Sequence, residues 1–228
     1  MRLLTYNVRS LRDDAAAVAR VIRACRPDVV AIQEAPRFWL SRTKRDRLAR
    51  RSGLVVVTGG RAAASNLLLA SPAVTVESTR NVLFTTDPRL HQRGAALAVL
   101  ELAGARFALA GTHLDLVERP RVRHVGELHA ALDAFAPAGV PSTVAGDIND
   151  VPESATWRLL AQQRVDAVPA RDGFTYSARN PQRRIDGVFA DPALRIRSAE
   201  VIGTPDVMIA SDHRPVLVEL ELSPRTGE

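Results

Sequence analysis

The sequence predicts an α/β protein in which two β-sheets pack face to face with helices outside them. Three observations support this. Strand-length apolar runs alternate with helix-period segments through Gly53, and the middle of the chain is a series of strand-like runs joined by short turns. No Pro/Gly/Ser linker or internal repeat divides the 228 residues, so one core is expected over 1–223, with "SPRTGE" containing a frayed tail at 224–228. A doubly wound parallel sheet is the competing arrangement, and the hairpin-rich middle argues against it.

Residues 2–8 read as a buried strand. "DDAAAVARVIRACRP" follows as a helix, with Asp13 or Asp14 as N-cap and Pro27 as its stop. "DVVAIQE" is a second strand, and "RFWLSRTKRDRLARRSG" a basic helix closed by Gly53. After "LVVVTGG" come "SNLLLAS", "AVTVES", "GAALAVLEL" and "ARFALAGTHL", expected as antiparallel strands in meander order with Gly104 in the last hairpin. Helices are expected at about 118–136 and 154–163, separated by the strand "TVAGDIN", and "RRIDGVFAD", "LRIRSAEVIG" and "PVLVELEL" close the fold.

Composition narrows the class. Apolar residues make up 46% and charged residues 25%, the balance of a protein with a packed core. "MRLLTYNV" does not read as a signal peptide, and the single cysteine, Cys25, sits in an apolar helical pattern as an inert thiol, so a cytoplasmic setting is expected. Glu101 and Arg106 interrupt the longest apolar stretch, so no membrane span is expected. The formal net charge is +6 and Lys44 is the only lysine. Nearly all the positive charge is therefore guanidinium, suited to bidentate phosphate contacts, with ordinary solvated charge as the alternative.

Polar residues gather where strands end. "LLTYN" ends at Asn7, "VVAIQE" at Glu34, "FALAGTH" at His113, and "TVAGDIN" at Asp147 and Asn149. "RRID" reaches Asp186, and "ASDH" sets Asp212 and His213 before the last strand. Each alone reads as a turn former or cap; together they form a hard-oxygen and imidazole inventory that suits metal-assisted hydrolysis of a phosphate ester. Asp147 and Asn149, two apart on a strand, are expected on one face, and Asp150 in the turn. There is no Cys/His cluster for structural zinc and no GxxxxGK[ST] loop for P-loop chemistry.

"TYN", "QE", "GTHL", "GDIN", "RIDGVF" and "SDHRPV" follow one another in an order that resembles the endonuclease/exonuclease/phosphatase superfamily, the deoxyribonuclease I-like fold. The resemblance runs from residue 5 to 216 and implies a four-layered sandwich: two mixed, mainly antiparallel sheets with helices on both outer sides. It implies Glu34 as the principal metal ligand, with Asn7 and Asp212 close to a Mg²⁺ for which Mn²⁺ could substitute. Asp147 would orient or deprotonate water or assist the leaving group, and Asn149 would hold the phosphate or that water. His213, oriented by Asp186, would contact the scissile phosphate and act in acid/base chemistry. His113 matches the histidine of the deoxyribonuclease I and sphingomyelinase branches, but no acidic partner for it can be located in the sequence. Arg93 is a further candidate for phosphate binding.

The expected function is hydrolysis of a phosphodiester by a monomeric, Mg²⁺-dependent enzyme. The basic balance favours a nucleic acid as substrate, while two Trp and two Tyr leave few rings for stacking. A phosphomonoester or a phospholipid or sphingomyelin-type headgroup stays open. A catalytically silent binding module is the alternative from another class, and the presence of every motif residue argues against it.

Overall fold

The computed structural model describes residues 1–168 and 173–223, so the expected tail at 224–228 lies outside the described residues. It contains two mixed six-stranded sheets and five α-helices. In chain order the elements are β1 Arg2–Asn7, α1 Ala15–Cys25, β2 Val29–Gln33, α2 Ser41–Ser52, β3 Val55–Gly60, β4 Asn66–Ala70, β5 Thr75–Leu83, β6 Gly94–Leu102 and β7 Ala105–His113. They continue with α3 Glu118–Asp133, β8 Ser142–Asp147, α4 Ala155–Ala161, β9 Val165–Asp166, β10 Asp186–Ala190, β11 Arg195–Val201, α5 Pro205–Ala210 and β12 Val216–Glu221. One sheet runs β11-β12-β1-β2-β4-β3 and the other β5-β6-β7-β8-β10-β9, with β1/β2 and β7/β8 as parallel pairs.

Strand alternation builds the layers, because successive side chains face opposite sides of a sheet. In β1, Leu3 joins the core between the sheets, where Ala31 and Leu68 face Ala98, Phe107 and Leu109. Its neighbour Leu4 turns outward, where Val30 and Ile32 meet Val18 and Ile22 of α1 and Leu48 of α2. The second sheet repeats the pattern, placing Val99, Ala108 and Val144 under Val125 and Leu128 of α3 and Trp157 of α4. Leu68, wholly buried between the sheets, is the kind of residue whose truncation to Ala costs about 2–5 kcal/mol. The result is the expected layered sandwich.

Local chemistry explains most boundaries. Asp14, not Asp13, caps α1, its carboxylate accepting from the amides of Ala16 and Ala17 at 2.8 and 2.9 Å. Gly53 closes α2 at φ 75°. Ala103 and Gly104 both take positive φ in the β6–β7 hairpin, as a tight two-residue turn with the sheet's twist requires.

Several expectations are corrected. Helix α2 begins at Ser41 rather than near Arg37, since Phe38, Trp39 and Leu40 have no core behind them and stand exposed. The meander covers β5, β6 and β7 only: β4 pairs with β2 and β3 in the first sheet, and the chain changes sheets before β5. The short helix α5, opened by Pro205 at its N-terminus, was not visible as a periodic segment.

Candidate active site

The sheets' pairing brings the polar strand ends to one place. The register sets His113 beside Asp147 across the parallel β7/β8 pair and Asp147 opposite Asp186 across β8/β10. From the facing sheet, Asn7 ends β1, Glu34 follows β2, and Asp212 and His213 precede β12. Gly146 allows the approach, since a Cβ there would collide with the carbonyl oxygen of Thr112. A cavity of about 440 Å³ opens over this edge, lined by Glu34, His113, Asp147, Asn149, Asp212 and His213, with Arg93 in its wall.

Asp147 is the centre of the network and is nearly sealed from solvent. The side-chain amide of Asn7 donates to Asp147 Oδ2 at 2.9 Å and to Glu34 Oε1 at 3.2 Å, which ties carboxylates of the two sheets together. Asn7 Oδ1 is already used, accepting from the backbone N–H of Arg9 at 3.0 Å. Asn7 thus orients the carboxylates and offers them nitrogen rather than oxygen. Ser211 fixes its backbone, donating Oγ–H to the Asn7 carbonyl at 2.7 Å.

Asn149 reaches the site by a route the strand pattern does not predict. Strand β8 stops at Asp147, and Asn149 takes the left-handed conformation at φ 56°. Its backbone N–H caps Asp147 Oδ1 at 3.0 Å, while its amide nitrogen lies 3.0 Å from the Leu114 carbonyl and 2.9 Å from His113 Nε2. Asp147 and Asn149 therefore converge through a turn, not through alternation along a strand. Asp150 lies in that turn as expected, paired with Arg121 of α3 at 2.7 Å.

The two histidines are driven apart in charge. Burial pushes the His113 pKa down to about 3 despite the opposing pull of Asp147. A neutral ring with Nε2 accepting from Asn149 follows, so its 3.3 Å approach to Asp147 Oδ2 is not an ion pair. Burial also opposes charge on His213, but Asp186, Asp147 and the hydrogen bond to Asp186 outweigh it and push the pKa up to about 10. His213 Nδ1 lies 2.9 Å from Asp186 Oδ2, and Nε2 faces Asp147 Oδ2 at 3.7 Å.

The donor chemistry fits a hard divalent cation. Glu34, Asp147 and Asp212 supply carboxylate oxygens to one cavity, and Asp186 Oδ1 is buried with no hydrogen-bond partner among the described residues. Asp147, Asp186 and His213 also bring ligand atoms within 4.8 Å of one another, a set that could hold a metal. There the His213 Nδ1 bond to Asp186 competes with coordination. Asp212 Oδ2 lies 3.4 Å from Arg9 Nε, so a guanidinium already stands beside it.

Arg93, a candidate from the sequence, lies half-buried in the cavity wall, its shielded Nε without a hydrogen-bond partner among the described residues and 3.8 Å from Asp115 Oδ2. Asp115 escaped the sequence analysis although it stands two residues after His113. Tyr176 escaped it too; its ring lies 5.1 Å from that of His213. His91 lines the cavity mouth, whereas His124 packs on Phe84 at 5.2 Å away from it.

The fold has solved counterparts. The endonuclease/exonuclease/phosphatase from Bacteroides vulgatus superposes with a TM-score of 0.81 at 21% identity, covering 97% of this chain and 98% of that one. The mannosyl-6-phosphatase Bt3783 of Bacteroides thetaiotaomicron gives 0.82 at 15% identity, covering 97% and 99%. D. rerio TDP2, complexed with single-strand DNA product, gives 0.75 at 18% identity, covering 97% and 98%. At these identities the likeness is one of fold, and no curated protein sequence matches. The model of the Endonuclease/Exonuclease/phosphatase family matches residues 4–213, a span that holds all the polar strand ends from Asn7 to His213, and the chain belongs to that family.

Proposed function

We propose that the chain hydrolyses a phosphodiester by in-line attack of water at phosphorus, with a divalent cation, Mg²⁺ or Mn²⁺, held by Glu34 and Asp212. The observation that carries this reading is the facing of Asp147 Oδ2 and His213 Nε2 at 3.7 Å, with the His213 ring locked by Asp186 at 2.9 Å. When bound, the metal supplies charge neutralisation at the phosphate oxygens. Asn7 holds the carboxylates of Glu34 and Asp147 in place from behind.

Asp147 accepts the proton of the attacking water as its oxygen bonds to phosphorus. The bond to the leaving oxygen breaks, and His213 Nε2 gives that oxygen its proton. Arg93 holds the non-bridging oxygens, while Asn149 gives its two amide hydrogens to the Leu114 carbonyl and to neutral His113, which takes a hydrogen bond rather than adding charge. Arg12, Arg37 and Arg183 line the same cavity and suit a polyanionic diester, nucleic acid and lipid headgroup alike.

The test is a panel of bis-p-nitrophenyl phosphate, p-nitrophenyl phosphate and plasmid DNA, each with Mg²⁺, with Mn²⁺ and with EDTA. Metal-dependent turnover of the diesters is expected. Turnover of the monoester alone would move the reading to a phosphomonoesterase, and no turnover together with no metal binding by calorimetry would refute it.

A further inference from the structure

The connection between β2 and α2 breaks several local rules at once. Phe38 is 75% exposed, Trp39 85% and Leu40 50%, in a chain whose other large apolar residues mostly fill its three cores. Leu40 occupies the N-cap position of α2 at φ 56°, with no side-chain cap, where Ser, Thr, Asp or Asn would stabilise the helix. No acid sits in the first turn to complement the helix dipole; Arg42 and Lys44 stand there instead. The helix continues with Arg47, Arg50 and Arg51 against a single acid, Asp46. Violations of local preference gathered in one short segment mark function rather than folding.

The tip lies at the mouth of the cavity. Arg37 and Phe38 line it on one side, and Leu116, from the loop after β7, lines it as well. Leu116 is 70% exposed and its neighbour Val117 48%. Two separate loops thus present bare apolar side chains around one opening, and a cationic helix begins at one of them.

We propose that this rim docks on an anionic lipid surface, with Trp39 and Leu40 entering the headgroup boundary and α2 held by anionic headgroups. Charge complementarity selects the occupant, since a polybasic segment beside bare Trp, Phe and Leu combines the two forces that hold a peripheral protein on such a membrane. A single-stranded nucleic acid would use the same charges, but it needs flat rings for its bases. Phe38 and Trp39 are such rings, but Leu40, Leu116 and Val117 are not and would stay in water beside a strand of bases, whereas a headgroup boundary buries all five. Docking would set the cavity mouth against the headgroup layer. The binding claim does not depend on turnover.

Trp39 supplies its own probe. The only other tryptophan, Trp157, is 2% exposed and donates its indole N–H to Asp166, so changes at the surface report Trp39. Emission is recorded with vesicles of phosphatidylglycerol and phosphatidylcholine, with phosphatidylcholine vesicles, and with a single-stranded oligonucleotide, and binding is checked by vesicle flotation. The expected result is a blue shift and flotation with the anionic vesicles only, both weakening as salt is added. Arg42→Ala with Lys44→Ala should lower partitioning about 25-fold, about fivefold for each cation. Trp39→Ser with Leu40→Ser should abolish flotation while keeping the wild-type thermal melt. Absence of binding to anionic vesicles, equal binding to neutral ones, or a response to the oligonucleotide alone would overturn the proposal.

Discussion

Asp186 Oδ2 meets His213 Nδ1 at 2.9 Å, between two residues that are both almost fully buried. The backbone that carries Asp186 is itself held, because Thr175 Oγ1 accepts from the backbone N–H groups of Ile185 and Asp186 at 3.1 and 3.2 Å. This fixes the ring so that Nε2 faces Asp147 and the cavity. Asp186→Asn should lower kcat by about 10²-fold while leaving KM nearly unchanged, since it loosens the tautomer and charge of His213 without touching the substrate. Steady-state kinetics on bis-p-nitrophenyl phosphate check this, and an equal rise in KM would assign Asp186 to substrate binding instead.

His213→Ala and Asp147→Asn remove the groups that exchange protons with the reacting atoms. Each should lower kcat by about 10²-fold or more. Near-wild-type rates in either variant would remove that residue from the chemistry.

Glu34→Ala should abolish saturable Mg²⁺ binding in calorimetry, because Glu34 is the assigned ligand. Asn7→Ala should weaken it by about 10–100-fold, as the loss of a group that orients ligands does. Unchanged binding in Asn7→Ala would mean that its 2.9 and 3.2 Å bonds to Asp147 and Glu34 serve only the packing of the sheets.

Asp150 belongs to stability. Arg121 is buried and donates to it from Nε and Nη2 at 3.0 and 2.7 Å, so Asp150→Ala leaves a buried charge without its counterion. The cost should be about 3 kcal/mol in a denaturant titration, near the low end for such a loss because Arg121 keeps the carbonyls of Asp115 and Leu116. Burial raises the Asp150 pKa, but its hydrogen bond with Thr156 and the Arg121 charge prevail and hold it below the usual 3.8. Its stabilisation is therefore present above 3.8 and lost as the pH falls through the lower folded value. Wild type should lose this increment in acid, and Asp150→Ala should not.

What the sequence made legible follows strand geometry. Asn7, Glu34, His113, Asp147 and Asp186 could be placed together because apolar runs of fixed period end at them, and parallel or antiparallel pairing aligns such ends. The shared strand face expected for Asp147 and Asn149 is replaced by a turn, since nothing in "GDIND" announces that the backbone turns left-handed at φ 56°. Asp115 and Tyr176 are not legible: their placement depends on an arginine of the cavity wall and on a ring packed across the fold. The start of α2 is not legible, because nothing in "RFWLSRTKRD" announces that Phe38, Trp39 and Leu40 stand exposed outside the helix. The sheet change before β5 leaves no local mark in the sequence either.

The most direct measurement of the central claim is the rate of bis-p-nitrophenyl phosphate hydrolysis by EDTA-stripped wild-type protein as Mg²⁺ is added stepwise. The account predicts a rate at background without metal that rises and saturates with Mg²⁺. Hydrolysis undiminished in EDTA, or no hydrolysis at any Mg²⁺ or Mn²⁺ concentration, would contradict it.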